Sequence, residues 1–271
     1  MSRAESGETA GDSINDSQGE NIAGSVDEAT TLERLTNWPI TGMGLHPGGS
    51  NYVFVVRLTD PEKYDADLAE DDTYVVDESA SIFGIYKLHY RERTAYLVSH
   101  ALGWPRIPPT VIRMGPHGEG SVQLFIDAAP TPEEEEEPDN FFSLRDERLD
   151  DFRDMAMFDA LVHNADRKGG SCILDDAGRL WAIDHGLTFN QMARRRTVMF
   201  EFNGTEYPSD LLADIEALVA EIESNSELKT ELVKLLSVPE IDDLVTRGKQ
   251  MMELGHYPVL DPDINVPWPM V

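Results

Sequence analysis

The sequence predicts an α+β protein with two lobes, a β-rich N-lobe followed by a mainly helical C-lobe. Segments rich in β-branched and aromatic residues, which are typical of strands, dominate the first half of the chain. Apolar residues at helical spacing dominate the second half. A proline-containing acidic stretch with five consecutive glutamates separates the two halves. With 271 residues, the chain is long enough for two small lobes that share a cleft.

These shifts in composition divide the chain into four segments. Residues 1–30 hold hardly any large apolar side chains, so we expect a disordered acidic and polar tail, because little burial could offset its ordering entropy. Residues 31–127 form the predicted N-lobe and residues 128–140 an acidic linker loop. Residues 141–271 form the predicted C-lobe, which carries the catalytic and metal segments described below.

The predicted N-lobe combines short strands with one helix. A glycine-rich turn precedes the first strand, and a Gly/Pro turn joins the last two. The helix is predicted over Tyr90–Leu102, because Ala95, Leu97 and Val98 contribute to an apolar stripe and Gly103 supplies a C-cap. The four predicted strands are Tyr52–Val56, Ile82–Lys87, Thr110–Arg113 and Ser121–Ile126.

The predicted C-lobe begins with a helix over Leu144–His163, whose apolar positions Phe152, Met155 and Phe158 suit a buried face. A β-hairpin follows, because two short apolar runs flank the turn Asp175–Gly178. Three more helices and an extended, proline-rich tail complete the chain. The hairpin strands are predicted at Ile173–Leu174 and Leu180–Ile183, and the three helices at Pro208–Ser224, Ser226–Leu236 and Pro239–Leu254.

Charge and cysteine content argue against several classes of function. Lysine and arginine number 22 against 51 aspartates and glutamates, which gives a net charge of −29. Nucleic-acid phosphates and anionic bilayers would repel such a chain, so we predict no nucleic-acid partner and no stable membrane association. The single cysteine, Cys172, cannot form an internal disulfide and is expected to be an inert core thiol. No signal peptide or membrane-spanning stretch is recognisable, so a cytoplasmic location is expected.

The strongest chemical signal is a pair of aspartates at the predicted hairpin. Asp166 precedes the first hairpin strand and Asp184 follows the second, so the chain returns between them. Paired strands lie about 5 Å apart, which allows both carboxylates to reach one site. Two such carboxylates can hold a divalent metal ion and orient a hydroxyl group. Phosphoryl transfer requires this combination, because the phosphate charge must be neutralised beside the attacking oxygen.

The segments around these aspartates resemble those of a known superfamily. Asp166–Lys168, the hairpin and Ile183–Gly186 are similar to the catalytic and metal segments of lipid kinases and HipA-like kinases. More closely, the chain resembles a family of bacterial proteins within this phosphatidylinositol 3-/4-kinase-like group, well represented in actinobacteria. The resemblance covers nearly everything after residue 35 and implies a two-lobed, protein-kinase-like fold. Its motifs, in order, are GGSNYVFVV, IYK, AYLVSHALGW, PPTVIRMGPHGEGSVQ, MAMFDALVHNADRKGG, IDHGLTF, RRRTVMF and PWP.

For the nucleotide, the resemblance implies ATP bound with Mg²⁺ or Mn²⁺ in the cleft. Lys87 would contact the ATP phosphates, and Glu92 at the start of the next helix would pair with it. A glycine-rich turn would cover the phosphates, and a hinge would contact adenine through backbone groups. The turn comprises Gly48, Gly49, Ser50 and Asn51, and the hinge comprises Gln123, Leu124 and Phe125.

For the chemistry, the resemblance implies that Asp166 is the catalytic carboxylate, in a catalytic segment that includes Arg167 and Lys168. Asp184 would be the metal ligand. Lipid kinases carry a metal-binding asparagine five residues after the catalytic aspartate, where this chain has Ser171. Ser171 is therefore predicted to contribute to the metal site through its hydroxyl, a weaker ligand than an amide carbonyl.

The predicted function is that of an ATP-dependent phosphotransferase with an unknown phosphoacceptor, a protein or small molecule rather than a lipid. Ser171 leaves two alternatives open. One is a pseudokinase that binds nucleotide or acts as a scaffold. The other is a nucleotidyl transferase that uses the same carboxylates with ATP in another orientation. The basic run Arg194–Arg196 fits either recognition of a phosphorylated substrate or compensation of the surrounding acidic charge.

Overall fold

The computed structural model describes residues 27–46, 53–65, 78–87, 89–129 and 138–271. Within these ranges an antiparallel sheet and two helices precede a β-hairpin and five further helices. The N-lobe elements are α1 (Glu28–Asn37), β1 (Ile40–Leu45), β2 (Phe54–Thr59), a 3-10 helix (Glu78–Ala80), β3 (Ser81–Lys87), α2 (Arg91–Leu102), β4 (Thr110–Gly115) and β5 (Gly118–Leu124). The C-lobe elements are α3 (Phe141–Leu144), α4 (Leu149–Val162), β6 (Cys172–Leu174), β7 (Leu180–Ala182), a 3-10 helix (Phe200–Phe202), α5 (Ser209–Glu223), α6 (Glu227–Leu235) and α7 (Val238–Leu254).

The strands of the N-lobe form one antiparallel sheet in the order β1-β2-β3-β5-β4. Strand β3 therefore lies at the centre, and its last residue, Lys87, is paired with Ser121 of β5. The β6–β7 hairpin pairs Cys172 with Ala182, so the chain on either side of the hairpin meets at one end. This sheet followed by a helical part confirms the predicted α+β fold with a β-rich N-lobe and a mainly helical C-lobe.

Helix α2 connects the two lobes through the hydrophobic core. A small core between the sheet and α1 includes the fully buried residues Leu35, Val56, Leu58, Tyr86 and Val122. The larger core is built around α4 in the C-lobe, and α2 contributes Ala95 and Val98 to it. Helix α2 packs against α5 and α6, although it follows directly on the sheet. A side chain at the start of α2 is therefore held by both lobes.

Helix α1 is absent from the sequence-based prediction, and it begins inside the segment expected to be disordered. Asp27 caps this helix, because its carboxylate accepts the N–H of Thr30 at 3.4 Å. Helix α1 packs against the core through Leu32 and Leu35. Two apolar residues are too few to give a clear helical pattern in the sequence. The predicted tail up to residue 26 lies outside the described residues.

The first helix of the C-lobe is interrupted where one continuous helix was predicted. Helix α3 starts at a capping box formed by Asn140 and Ser143, and it buries Phe141 and Leu144. A polar stretch separates it from α4, which begins at Leu149. The remaining predicted helices and the hairpin lie within two residues of their predicted bounds. None of the helices in the described part of the chain is long and apolar enough to cross a membrane.

Candidate active site

The two lobes enclose a cleft of about 760 Å³ between β3, the end of β5 and the loops around the hairpin. Side chains from both lobes line it. Gly49, Ser50 and Asn51 lie outside the described residues, so their contact with phosphates stays a prediction. The residues predicted from sequence that line the cleft are Lys87, Glu92, Gln123, Leu124, Phe125, Asp166, Lys168, Ser171 and Asp184.

Lys87 lies between carboxylates of both lobes at the end of β3. Its ammonium nitrogen is 2.7 Å from Oε1 of Glu92 and 2.7 Å from Oδ1 of Asp184. The pair with Glu92 was predicted, and it forms because β3 passes almost directly into α2. Burial alone would lower the pKa of Lys87, but the two carboxylates outweigh it and raise the pKa above its usual value. The ammonium group therefore stays charged and faces the cleft.

Glu92 joins this lysine to the segment that follows β7. The Glu92 side chain is fully buried, and its second oxygen accepts the backbone N–H of His185 at 3.0 Å. The neighbouring Gly186 lies against the imidazole of His89, where a Cβ atom would approach within 2.8 Å of a ring carbon. Only glycine fits this contact without displacing the ring. The segment after β7 is thus held by Glu92 of α2 and by His89, which lies between β3 and α2.

Asp184 has an unusual backbone conformation for a residue other than glycine. Its φ is +59°, in the left-handed region that non-glycine residues rarely adopt. Its side chain is 57% exposed and points to Lys87. Desolvation alone would raise the pKa of Asp184, but Lys87 and then Arg167 and Lys168 outweigh it and lower the pKa. The cleft therefore presents an ionised carboxylate with an accessible oxygen.

Asp166 lies in the turn that follows α4, which ends at Val162. His163 ends this helix in the left-handed conformation, with a φ of +52°. The side chain of Asn164 then accepts the backbone N–H of Asp166 at 3.0 Å, which forms a tight Asx-type turn. The Asp166 carboxylate lines the cleft, where Arg196 approaches one oxygen at 3.3 Å and Lys168 the other at 3.8 Å. Two cations thus flank the predicted catalytic carboxylate.

Arg167 does not reach the cleft, although it was predicted within the catalytic segment. Its side chain is fully buried, and its guanidinium group binds both oxygens of Asp159 at 2.6 and 2.9 Å. It also donates to the backbone carbonyls of Ser171 at 2.7 Å and Ile183 at 3.0 Å. These carbonyls lie on the two arms of the hairpin. Arg167 therefore ties the loop of Asp166 to the hairpin, and we assign it a positioning role in place of a catalytic one.

His185 completes this buried network. Its Nε2 lies 2.9 Å from Nη2 of Arg167, so the nitrogen accepts and the imidazole is neutral. Burial, followed by the nearby Arg167 and Lys87, lowers the pKa of His185 well below its usual value. The ring packs edge-on against Phe158 of α4. His185 is thus a structural histidine beside the cleft, as a lone histidine is most often expected to be.

Ser171 lines the cleft at the start of the hairpin, and in the sequence it lies between Asp166 and Asp184. In the described part of the chain, no cluster of three or more His, Cys, Asp or Glu side chains is placed to hold a metal ion. Magnesium needs no such cluster when it binds nucleotide, because one or two carboxylates act together with phosphate oxygens and water. The exposed carboxylate of Asp184 fits that donor set. Ser171 is only 2% exposed, and a metal contact of its hydroxyl stays a prediction.

The predicted hinge has fewer free backbone groups than expected. The N–H groups of Leu124 and Phe125 already donate to the carbonyls of Pro109 at 2.8 Å and Phe83 at 2.9 Å. The side chain of Gln123 is buried and donates to Thr110. Strand β5 pairs with β3 and β4, so the predicted contact of Leu124 and Phe125 with adenine would have to use their carbonyl groups. The following residue, at position 126, lines the cleft, and its amide donates to no backbone group in the described ranges.

Asp159, Gly186 and His89 position the site but escaped the sequence-based prediction of functional residues. The role of Asp159 could have been predicted from the sequence, because a carboxylate within the apolar run of a buried helix requires a buried partner. His89 and Gly186 carry no such signal, since their contact joins two lobes that the sequence does not place side by side. The predicted core thiol, Cys172, is buried, and burial raises its pKa to about 11.

Fold and site together define a class: a two-lobed α+β protein whose interlobe cleft joins a strand lysine, a helix glutamate and two aspartates. The chain is 31% identical over 207 residues to Protein Rv2133c of Mycobacterium tuberculosis (strain ATCC 25618 / H37Rv). The match covers 66% of this chain and 74% of that protein. The chain belongs to the family of this mycobacterial protein. No family model matches it.

Two solved kinase structures are similar to the chain in outline. The golgi casein kinase aligns with a TM-score of 0.43 and 15% identity, covering 84% of this chain and 74% of the other. The Helicobacter pylori proinflammatory kinase CtkA aligns with a TM-score of 0.48 and 12% identity, covering 82% of this chain and 94% of the other. Because both TM-scores are low, the function proposed below rests on the residues of the cleft.

Proposed function

We propose that this protein is an ATP-dependent phosphotransferase of the phosphatidylinositol 3-/4-kinase-like group. The position of Lys87 carries the proposal, because its ammonium group lies 2.7 Å from both Glu92 and Asp184. In protein kinases a lysine on the third strand pairs with a glutamate of the following helix and contacts the phosphates, beside a metal-binding aspartate. The same three residue types meet here on the third strand, the next helix and the segment after the hairpin.

ATP would bind with its phosphates toward Lys87 and its adenine toward the end of β5. Lys87 would exchange its contact with Asp184 for one with a phosphate oxygen, while the buried Glu92 keeps the ammonium group in place. Asp184 would then be free to hold Mg²⁺ or Mn²⁺ together with the phosphates. When bound, the metal ion neutralises phosphate charge and so lowers the barrier to attack by an acceptor oxygen.

The acceptor hydroxyl would approach Asp166, which lines the same cleft. In the proposed step the acceptor oxygen forms a bond to the γ-phosphorus while the bond to the β–γ bridging oxygen breaks, and ADP leaves. The Asp166 carboxylate takes the hydroxyl proton. Lys168 and Arg196 lie 3.8 and 3.3 Å from Asp166 and would balance charge on the transferred group.

The acceptor is proposed to be a protein or a small molecule rather than a lipid. The net charge of −29 opposes approach to an anionic bilayer. The two basic residues that flank Asp166 favour an acceptor with negative charge close to its hydroxyl group. A phosphorylated small molecule or an acidic stretch of protein meets this requirement without a membrane.

Labelled ATP tests this function directly. Wild type and Asp166→Asn are incubated with Mg²⁺ or Mn²⁺ and ATP labelled at the γ- or the α-phosphate, with and without a protein and metabolite extract. We expect the wild type to transfer the γ-label and to release ADP. The transfer rate of Asp166→Asn should be lower by about 10²–10⁴-fold, because the general base is lost. Asp176→Asn, the same change on the exposed hairpin turn, is the matched control.

The label also separates the alternatives. Transfer of the α-label with release of pyrophosphate would replace the proposal by nucleotidyl transfer. Tight nucleotide binding without either transfer would make the protein a pseudokinase, in line with the hydroxyl of Ser171 in place of an amide. Absence of nucleotide binding at millimolar ATP would contradict all three functions.

A further inference from the structure

A second groove lies behind the hinge, on the side away from the cleft. It has a volume of about 860 Å³ and is lined by α1, the end of α2, the loop after α2, the start of α4 and the hairpin turn. Leu124 and Ile126 line both this groove and the cleft, so a thin layer of chain separates the two. Nothing in the proposed phosphotransfer uses this groove.

Every carboxylate that lines the groove already has a partner. Glu28 accepts the hydroxyl of Tyr96 and lies 3.5 Å from His100. Asp151 is paired with Arg148 at 2.6 Å. The remaining carboxylate, at position 154, is paired with its neighbour at position 153 at 3.4 Å. Arginines therefore compensate Asp151 and Asp154, whereas a hydroxyl group and an imidazole hold Glu28.

Two arginines of the same groove have no carboxylate partner among the described residues. The guanidinium group of Arg34 lies over the ring of Trp38 at 4.9 Å, and that of Arg106 lies over Trp181 at 5.3 Å. Both arginines line the groove, and Arg106 is exposed.

Two further arginines of the groove, Arg148 and Arg179, are paired with carboxylates at 2.6 and 2.7 Å, so Arg34 and Arg106 are the lining arginines that an anion could pair with. The ring of Trp181 also lies beneath Arg179 at 5.5 Å. A cation–π contact restricts a guanidinium group, and the side-chain N–H groups of Arg34 and Arg106 have no hydrogen-bond partner among the described residues.

We propose that this groove binds an acidic segment of a polypeptide partner. Planar guanidinium groups bind carboxylates through two parallel hydrogen bonds, and the stacked arginines are already ordered for this contact. The volume of the groove admits several side chains of an extended segment. Its remaining surface is largely neutral or paired, so charge complementarity selects an acidic partner over a basic one. This inference is independent of the proposed enzymatic activity.

Fluorescence anisotropy with the full chain tests the proposal. The probes are a labelled hexaglutamate peptide and a hexaglutamine peptide of the same length, at about 150 mM salt, where screening limits long-range repulsion. We expect the wild type to prefer hexaglutamate by at least about tenfold. Arg34→Gln/Arg106→Gln should weaken that binding by at least about tenfold and leave hexaglutamine unaffected. Arg145→Gln/Lys229→Gln removes the same charge outside the groove and should bind as the wild type does.

Several results would overturn the proposal. Equal affinity of the wild type for the two peptides, or equal losses in the two double variants, would mean that the arginines select no acidic segment. Binding of hexaglutamate only after Glu133–Glu137 are replaced by glutamine would assign the groove to the chain's own acidic run. If the double variant does not fold, peptide binding is measured with the single variant Arg106→Gln, which changes an exposed side chain. Thermal unfolding then shows whether this variant is folded.

Discussion

Two networks of ion pairs meet at the segment after β7, and they differ in their contact with solvent. The network around Lys87 opens onto the cleft, where the side chain of Lys87 is 12% exposed and that of Asp184 57%. The network around Arg167 is sealed, with its side chain 0% and that of Asp159 6% exposed. Both bind the same short stretch of chain. The open network can exchange a partner for a ligand, whereas the sealed one can only hold the backbone.

The difference has a physical cause. Burying an ion pair removes both charges from water, so such a pair contributes little net stability but becomes expensive to break. The pair of Arg167 and Asp159 is of this buried kind, and Arg167 also donates hydrogen bonds to two backbone carbonyl groups. A partly exposed pair is weakened by water and exchanges partners readily. Positions in the sealed network should therefore govern stability, and positions in the open network should govern nucleotide binding.

Replacing Arg167 should give the largest loss of stability. Arg167→Met leaves Asp159 buried without its cation, so we expect the free energy of unfolding to fall by about 3–5 kcal/mol. Urea denaturation followed by circular dichroism measures this. Arg179→Met, a change at a partly exposed arginine paired with Asp175, is the control and should cost about 1 kcal/mol or less. Equal losses in the two variants would remove the distinction between sealed and open pairs.

Compared with Arg167→Met, Lys87→Met should lower the free energy of unfolding less and weaken nucleotide binding more. The variant leaves the buried Glu92 with the N–H of His185 as its remaining donor, which should cost about 2 kcal/mol. Loss of the phosphate contact should weaken nucleotide binding by at least about tenfold. Denaturation and calorimetric titration with Mg²⁺–ATP measure the two effects. Unchanged nucleotide affinity would reduce Lys87 to a structural lysine.

Asp175 in the hairpin turn provides an intermediate case with a pH signature. Burial would raise its pKa, but the N–H groups of Trp181 and Arg179 outweigh this and lower it. A lowered pKa stabilises the fold above about pH 4, the unfolded value, and this stability is lost as the pH falls through the folded pKa. Asp175→Asn should therefore cost about 1 kcal/mol at neutral pH. The difference from wild type should disappear in acid, as pH-dependent thermal unfolding would show; a constant difference would contradict this.

Asp184→Asn should have the smallest effect on stability. Its carboxylate is more than half exposed, and asparagine tolerates the left-handed backbone at this position, so we expect a change below about 1 kcal/mol. Metal-dependent nucleotide binding should nevertheless be lost, because the charge opposite the cation is removed. Calorimetric titration of Mg²⁺–ATP into this variant and the Asp176→Asn control decides the point. Binding of Mg²⁺–ATP at wild-type affinity would refute the assignment of the metal ligand.

Local patterns were sufficient to predict the elements that carry the site. The run of β-branched and aromatic residues before Lys87 predicts β3, and Gly103 correctly predicts where α2 ends, with a φ of +83°. The turn between two short apolar runs predicts the hairpin, and hence that Asp166 and Asp184 can reach one cleft. Each of these features depends on residues that are close together in the chain.

The role of Arg167 could not be predicted in the same way. In the sequence it stands between Asp166 and Lys168, and all three look like polar residues of one exposed loop. The burial of Arg167 depends on its ion pair with Asp159, which lies in the last turn of α4. It also depends on the backbone carbonyl groups that accept hydrogen bonds from Arg167 at both ends of the hairpin. The hinge shows the same effect, because the N–H group of Leu124 is taken by Pro109 only once β5 lies beside that segment.

The sequence by itself determined most of the strands and helices, although not α1, β1 or the break before α4, together with the acidic charge of the chain and the placing of two aspartates on either side of a hairpin. These follow from local propensity, periodicity and composition. Only the tertiary structure decided that Arg167 is buried while Asp166 and Lys168 line the cleft, and that Lys87 contacts Asp184 directly. Lys87 and Asp184 are 97 positions apart, and their contact exists because α2 packs into the core of the C-lobe. Burial and contact between lobes depend on how the elements pack against one another, which no local stretch of sequence specifies.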